Sequence, residues 1–386
     1  MELRGYILIA DITGYTTYLN ESELDHARET LGNLLELLID NTKPPLVLSR
    51  LEGDAVFSYG LEDGFVDPQT FIEMIENTYV SFRRAIELMV LNNTCRCNAC
   101  ANVSSLDLKF FVHYGTFVLQ SVGESQELMG SDVNLAHRLL KNSVTDITGV
   151  RAYTLFTEEA AESLGISDLT EEMVSHMEDV PDFGRTLVWI QDMHPTYEAR
   201  RHERMIRFDP SEVILDESVQ IALQPELVWD YLTQSEFRNL TLGSDRYEID
   251  RRGKRVGEGS VYQCYHGDNV VPQVVLEWRP FERILVRQPS PILGGKSQVH
   301  VDFGLQPSDG GTLLTCRGAR PTGSGWQRAL VRVIHRVMRP MIRRNLEKFK
   351  REIEEDASRR KSMPGAILSQ ETIDAAAKIG LRADET

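Results

Sequence analysis

Two aspartates stand where chemistry is expected. Asp11 closes the apolar run Tyr6 to Ala10 within Asp11-Ile12-Thr13-Gly14, and Asp54 follows Glu52-Gly53 in a tight turn. If the two strands lie side by side their carboxylates converge, and with the Ile12 carbonyl they offer hard oxygen ligands to divalent cations. Further along, GSDVNLAHRL sets Asn134 and Arg138 four residues apart, so both side chains share one helix face. Alone, each feature reads as a turn or a solvated helix face; their combination is what carries information. Cys95, Cys97 and Cys100 crowd three thiols into one loop, one ligand short of a tetrahedral zinc site. His113 is a candidate fourth ligand, although on an apolar strand a hydrogen-bonded core histidine is the more ordinary role, and inert reduced thiols are the other reading of the cysteines.

The elements that must position these residues follow from periodicity. A strand over 6–10 leads into a helix whose apolar positions Leu31, Leu34, Leu35, Leu38 and Ile39 recur at helical spacing until Lys43-Pro44-Pro45. Strands over 46–50 and 54–59 form a hairpin, residues 69–92 form a helix, and 106–119 reads as a strand broken at Gly115. Ser131 is the expected N-cap of a helix over 132–141, and strands over 151–156 and 185–191 flank one more helix. The order βαββαβ, then αβ, predicts a ferredoxin-like α+β sandwich with extensions over residues 1–194.

Residues 195–210 are polar without apolar period and read as a linker. A second domain over 211–356 begins with an alternating strand near Val213 to Leu223 and a Pro225-initiated helix. Strands at hairpin spacing follow, then a long helix from Trp326 to about Glu355. On that helix Leu330, Val333, Ile334, Val337, Met338, Met341, Ile342, Leu346 and Phe349 form an expected inward stripe, with a kink at Pro340. Its other face is basic, a solvated face or a docking face for the acidic half or an anionic membrane. Residues 357–386 are expected to be a mobile tail.

At 386 residues, with 41% hydrophobic and 26% charged, the chain has the composition of a folded soluble protein of two domains. No apolar stretch is long enough to span a bilayer and no signal sequence is evident, so the expected compartment is the cytoplasm. An odd set of five cysteines agrees with reduced thiols. Residues 1–195 hold 31 Asp and Glu against 12 Lys and Arg, while the remainder holds 27 against 30. So acidic a half excludes a nucleic-acid backbone as partner but admits a small anion through a bound cation.

Ile9 to Thr16 resembles the first metal-binding motif of class III nucleotidyl cyclases, Glu52 to Phe57 resembles their second, and GSDVNLAHRL resembles their G-x-x-V-N-x-A-x-R. The resemblance implies two Mg2+ or Mn2+ ions on Asp11, Asp54 and the Ile12 carbonyl, with Thr13 and Gly14 among the substrate-binding residues. Asn134 would orient the ribose and Arg138 would stabilise phosphoryl charge, the two catalytic positions. Arg50 and Glu127 occupy the family's base-recognition positions in place of Lys and Asp. A guanidinium donating to N1 and a carboxylate accepting from the N6 amine suit adenine and reject guanine, although cytosine offers a similar pattern. Arg185 is the nearest candidate for the family's late triphosphate lysine. The implied function is conversion of ATP to 3',5'-cyclic AMP and pyrophosphate at a homodimer interface. A catalytically degenerate, nucleotide-binding or dimerisation module is the rival.

Residues 211–356 resemble the START-like helix-grip superfamily, which includes polyketide-cyclase-like proteins, in the pattern of a strand, short helices, an antiparallel sheet and a long closing helix. That resemblance implies an apolar small molecule or lipid as ligand and a regulatory part. Trp229, Tyr231, Tyr262, Tyr265, Trp278 and Phe303 could line its cavity, with core packing the ordinary role for most.

Overall fold

The computed structural model describes residues 2–43, 45–62, 67–91, 97–122, 125–202, 205–250, 255–290 and 297–361. Two compact units divide the chain, one from residues 1–203 and one from 204–359.

The first unit runs β1 (Glu2–Thr13), α1 (Tyr15–Asn20), α2 (Leu24–Thr42), β2 (Val47–Glu52), β3 (Ala55–Leu61), α3 (Pro68–Leu91), α4 (Asn98–Asn102), β4 (Asp107–Val122), β5 (Ser125–Met129) and α5 (Ser131–Leu139). Then come α6 (Val144–Thr148), β6 (Tyr153–Thr157), α7 (Glu158–Ser163), α8 (Ser167–Thr170), β7 (Val174–Val180), β8 (Gly184–Asp192) and α9 (His194–His202). Its sheet has the order β2-β3-β1-β4-β6-β8-β7, with β5 paired to β4. The first four strands of that order, all antiparallel, are the ferredoxin-like βαββαβ core, and the rest is its extension. β1 lies between β3 and β4 with both faces buried, so it reads as a continuous apolar run rather than an alternating one. Ile7 and Ile9 join α5 in one core, with Phe57, Phe111 and Leu139. On the other face Tyr6 packs on Phe71 of α3 and its hydroxyl meets Ser163 of α7.

Gly115 does not break a strand; β4 runs through it. Its hydrogen faces the Asp132 carboxylate, which accepts from the Thr116 backbone N–H at 2.6 Å and from its hydroxyl at 3.2 Å. A β-carbon there would collide with that carboxylate, so the glycine is what lets β4 hold the first turn of α5. Gly130, not Ser131, occupies the N-cap position.

The second unit runs β9 (Val213–Ile221), α10 (Pro225–Thr233), α11 (Ser235–Leu242), β10 (Arg246–Asp250), β11 (Val261–His266), β12 (Asn269–Arg279), β13 (Arg283–Pro289), β14 (Gln298–Ser308), β15 (Gly311–Ala319) and α12 (Gly325–Lys361). One antiparallel sheet, β10-β11-β12-β13-β14-β15-β9, faces the helices, and Ile342, Leu346, Phe349 and Ile353 of α12 are buried at helical spacing. This is the helix-grip arrangement. Trp229 is packed edge-on against Trp278 and Phe281, and Tyr231, Tyr262 and Phe303 are buried as core residues, while Tyr265 stays beside Arg246 and Glu248 on the sheet's outer side.

Two expectations need correction. The polar segment 195–210 is not a free linker: α9 occupies 194–202, and Ile206 donates to Glu277 and accepts from Arg283. The Phe208 ring then lies within 5.7 Å of the Arg283 guanidinium and 5.2 Å of that of Arg320. Polar composition hid this because the anchors are ion pairs and backbone bonds rather than an apolar stripe. The inward stripe of α12 also holds only in its second half. Val333 is 58% and Val337 74% exposed, with Leu330 and Met341 exposed too, while Arg339 of the supposed outer face pairs with the buried Glu217. Of the expected tail, 357–361 continue α12, and 362–386 lie outside the described residues.

Gly115→Ala is expected to displace Asp132 and cost about 1–3 kcal/mol by overpacking, read from urea unfolding of the full chain. Unchanged stability would show that Asp132 moves aside freely.

Candidate functional site

Pairing of Asp11 with Ala55 across β1 and β3, and a bond from the Ile12 N–H to the Asp54 carbonyl at 3.2 Å, bring the two sequence-predicted aspartates together. Gly53, with φ 65°, makes the turn that aims Asp54 back at β1. Burial, and then the neighbouring charge of Asp54, push the Asp11 carboxyl up to about 6, with Lys109 pulling the other way. Burial raises Asp54 as well. Half-buried carboxylates that resist joint ionisation are a donor set that a divalent cation would neutralise, so these residues fit the metal the sequence implied. Gly14 begins α1 at φ 90°, against the Ser105 carbonyl, and the Thr13 hydroxyl donates to the Arg151 carbonyl at 3.4 Å.

A second group gathers around a cleft of about 410 Å³ lined by Arg50, Glu52, Asn134, His137, Arg138, Asp182 and Phe183. Ser49 is bulged out of the β2–β3 ladder, and Arg50 follows it. A bulge re-aims the next side chain, and here Arg50 lies over the Phe57 ring. Its guanidinium meets Glu52 at 2.5 Å, Glu127 at 3.5 Å and the His137 Nε2 at 2.9 Å. Because the guanidinium can only donate, His137 accepts at Nε2 and carries its proton on Nδ1, which lies 3.2 Å from the Glu52 carboxylate. Its ring is stacked on Phe57 at 4.7 Å. Burial holds the His137 pKa below the ordinary value, with Glu52 opposing and Arg50 assisting.

Asn134 and Arg138 are exposed on one face of α5, and Arg138 pairs at 3.2 Å with Asp182 in the β7–β8 turn. The structure thus brings together Arg50, Glu127, Asn134 and Arg138, and separately Asp11 and Asp54; neither aspartate lines the cleft. Arg185 is exposed beside Asp179 in the β7–β8 hairpin and does not line it either.

Sequence reasoning missed Glu52, His137 and Asp182 at the cleft, and Lys109 beside Asp11. Lys109 carried a findable signal, since it stands two residues before the buried Phe111 and shares its strand face. His137 and Asp182 carried none, because only the packing of α5 and the β7–β8 turn brings them in. The zinc expectation changes as well. His113 is a core histidine, 3% exposed and bonded to the Thr157 hydroxyl at 2.9 Å, and the imidazole that meets the thiols is that of His26. Cys95 lies outside the described residues.

In the second unit, Arg238 of α11 is fully buried among the rings of Tyr262, Phe303 and Tyr247, its carbon Cζ 4.2, 5.2 and 5.8 Å from their centres. One nitrogen donates to the Leu232 carbonyl at 3.3 Å; Nε and Nη2 have no acceptor among the described residues.

Residues 31–148 match a family described as Protein of unknown function (DUF2652). Residues 212–354 match one described as Polyketide cyclase / dehydrase and lipid transport. An uncharacterized protein of Mycobacterium tuberculosis is 33% identical over 134 residues, 35% of this chain and 60% of that relative's length. Among solved structures, a bacterial light-regulated adenylyl cyclase is similar at 12% identity and TM-score 0.38, over 52% of this chain and 57% of its own. The adenylyl cyclase CyaB from P. aeruginosa is similar at 14% identity and TM-score 0.35, over 50% and 95%. No helix among the described residues is long and apolar enough to cross a membrane.

Titration of His137 followed by NMR is expected to have its midpoint below 6.5. A native pKa depressed below the unfolded value means that its contribution to stability is present above pH 6.5 and is lost as pH falls through the native pKa. A midpoint above 6.5 would mean that the site favours the doubly protonated ring, which has no nitrogen left to accept from Arg50.

The second unit is thus similar to the polyketide cyclase / dehydrase and lipid transport family, and the first is built on the ferredoxin-like core that the sequence predicted.

Proposed function

We propose that the first unit is a nucleotidyl cyclase acting on ATP, and that the second binds an apolar ligand bearing an anionic head. The observation supporting the first reading is the gathering of Arg50, Asn134 and Arg138 at one cleft, with Glu127 3.5 Å from Arg50 and the Asp11 and Asp54 pair on a separate part of the same unit. Asp11, Asp54 and the Ile12 carbonyl would hold two Mg2+ or Mn2+ ions, which supply charge neutralisation for a triphosphate and acidify the attacking ribose hydroxyl. Arg50 donates to the base and Glu127 accepts from its amine, an acceptor-beside-amine pattern that selects adenine over guanine. Neutral His137 and Glu52 hold Arg50 at the required angle. Asn134 orients the ribose, and Arg138, leaving Asp182, stabilises negative charge as pyrophosphate departs. Lys109 is the basic group best placed for the triphosphate, a role the sequence had assigned to Arg185.

Because the cleft of one chain lacks the aspartates, the active species in this reading is a homodimer in which each chain completes the other's site. Asp11→Ala and Asp54→Ala should each lower cyclic AMP formation from ATP and Mn2+ by at least about 100-fold, the scale of losing one transition-state charge contact. Mixing inactive Asp54→Ala and Arg138→Ala chains should restore activity, since a heterodimer keeps one whole site. Wild-type protein that binds ATP without forming any cyclic product would favour the rival, a nucleotide-binding module, which the Arg138–Asp182 pair supports.

Arg238 supports the second reading. A buried guanidinium with two unaccepted nitrogens is costly even among aromatic faces, and a carboxylate entering with an apolar ligand would satisfy it. The full chain should bind a long-chain fatty acid more tightly than its methyl ester, and Arg238→Met should erase that difference while leaving the chain folded. Equal binding of acid and ester by the unaltered chain would remove Arg238 from ligand recognition.

A further inference from the structure

The start of α2 and the segment leading into α4 are 71 residues apart in sequence, yet they meet at three soft donors. His26 Nδ1 lies 3.2 Å from Cys97 Sγ and 3.9 Å from Cys100 Sγ. One donor atom from each of the three lies within 4.8 Å of the others. Bond lengths of about 2.3 Å to sulfur and about 2.0 Å to nitrogen in a tetrahedron put nitrogen–sulfur edges at about 3.6 Å and the sulfur–sulfur edge at about 3.8 Å. The two observed nitrogen–sulfur distances bracket that edge.

Cys97 is the N-cap of α4, and its sulfur accepts the Cys100 backbone N–H at 3.4 Å, so the turn that joins the two cysteines holds both sulfurs on the side of α4 that meets His26. Two thiolates and a neutral imidazole balance a divalent cation. Glu23, one turn before His26, accepts from the Ala99 N–H at 3.1 Å, so the start of α2 and α4 are already joined beside the donors.

We propose that His26, Cys97 and Cys100 bind a zinc ion that cross-links the start of α2 to α4. The assignment replaces His113 by His26 and leaves one position of the tetrahedron for a fourth donor. The cross-link serves the first unit's architecture rather than its cleft. Helix α1, which begins at Gly14 directly after Asp11-Ile12-Thr13, packs against both α2 and α4. An ion here therefore braces the helix that follows the aspartate loop. The proposal does not depend on nucleotide chemistry, and neither does its test.

Full-length protein purified without added metal should contain one zinc per chain by elemental analysis. Replacement with cobalt(II) should give the thiolate charge-transfer and ligand-field bands of a tetrahedral site. His26→Ala, Cys97→Ser and Cys100→Ser should each weaken zinc binding at least about tenfold, read by competition with a chromophoric chelator. His26 is exposed, so its removal leaves the fold intact, and His26→Cys should restore both zinc and the cobalt spectrum. Protein without stoichiometric zinc and without a cobalt–thiolate band would overturn the proposal. So would a metal content indifferent to His26→Ala and Cys97→Ser.

Discussion

The first unit depends on a carboxylate that follows directly on a wholly buried strand segment, Gly5 to Ala10. β1 is clamped between β3 and β4 and covered on both faces, so its register has no freedom: a one-residue slip would exchange Ile7, Ile9 and Asp11 with Tyr6, Leu8 and Ala10. With register locked, the Ile12–Asp54 backbone bond holds the second aspartate beside the first. The result is a charge conflict, visible in the raised Asp11 and Asp54, that the protein's own Lys109 only partly offsets. Retaining such a conflict inside a well-packed unit has the character of a binding site, since a core optimised for stability alone would not hold two carboxylates there.

Two buried arginines in the second unit make the same contrast. Arg283 forms a two-pronged pair with Asp302 at 2.7 and 3.0 Å, meets Glu277 at 2.8 Å and donates to the Ile206 carbonyl. Its charge is matched on every side, and it fastens residues 205–208 to the sheet. Arg238 is fully buried but, among the described residues, rests on aromatic faces and a single carbonyl. One side chain therefore completes a structural network, whereas the other keeps donors without an acceptor among the described residues in the interior of its unit.

The cleft of the first unit shows how a bulge, a stack and an ion-pair chain cooperate. Without the extra residue at Ser49, Arg50 would sit on the opposite strand face, away from Phe57. Without His137 on Phe57 and Glu52 behind it, the guanidinium would be free to collapse wholly onto Glu127. Gly115 contributes from a distance, because the room it leaves for Asp132 sets where α5 starts and hence where Asn134 and Arg138 point.

Much of this was legible in the amino-acid sequence. The apolar run before Asp11, the Gly53-Asp54 turn and the helical spacing of Asn134 and Arg138 are local patterns, governed by backbone preferences and by periods of two and 3.6 residues. They determined the βαββαβ order, while the helix grip was expected from the resemblance of residues 211–356 and the site residues from the resemblance of three motifs to known families. Partnerships between distant segments were not legible. His26 rather than His113 beside the thiols, His137 and Asp182 at the cleft, α9 in place of a linker and the exposure of Leu330, Val333 and Val337 on α12 all depend on which surfaces meet after the chain collapses. Periodicity tells a side chain which face of its own element it occupies; only the packed register of sheets and helices decides what stands opposite that face.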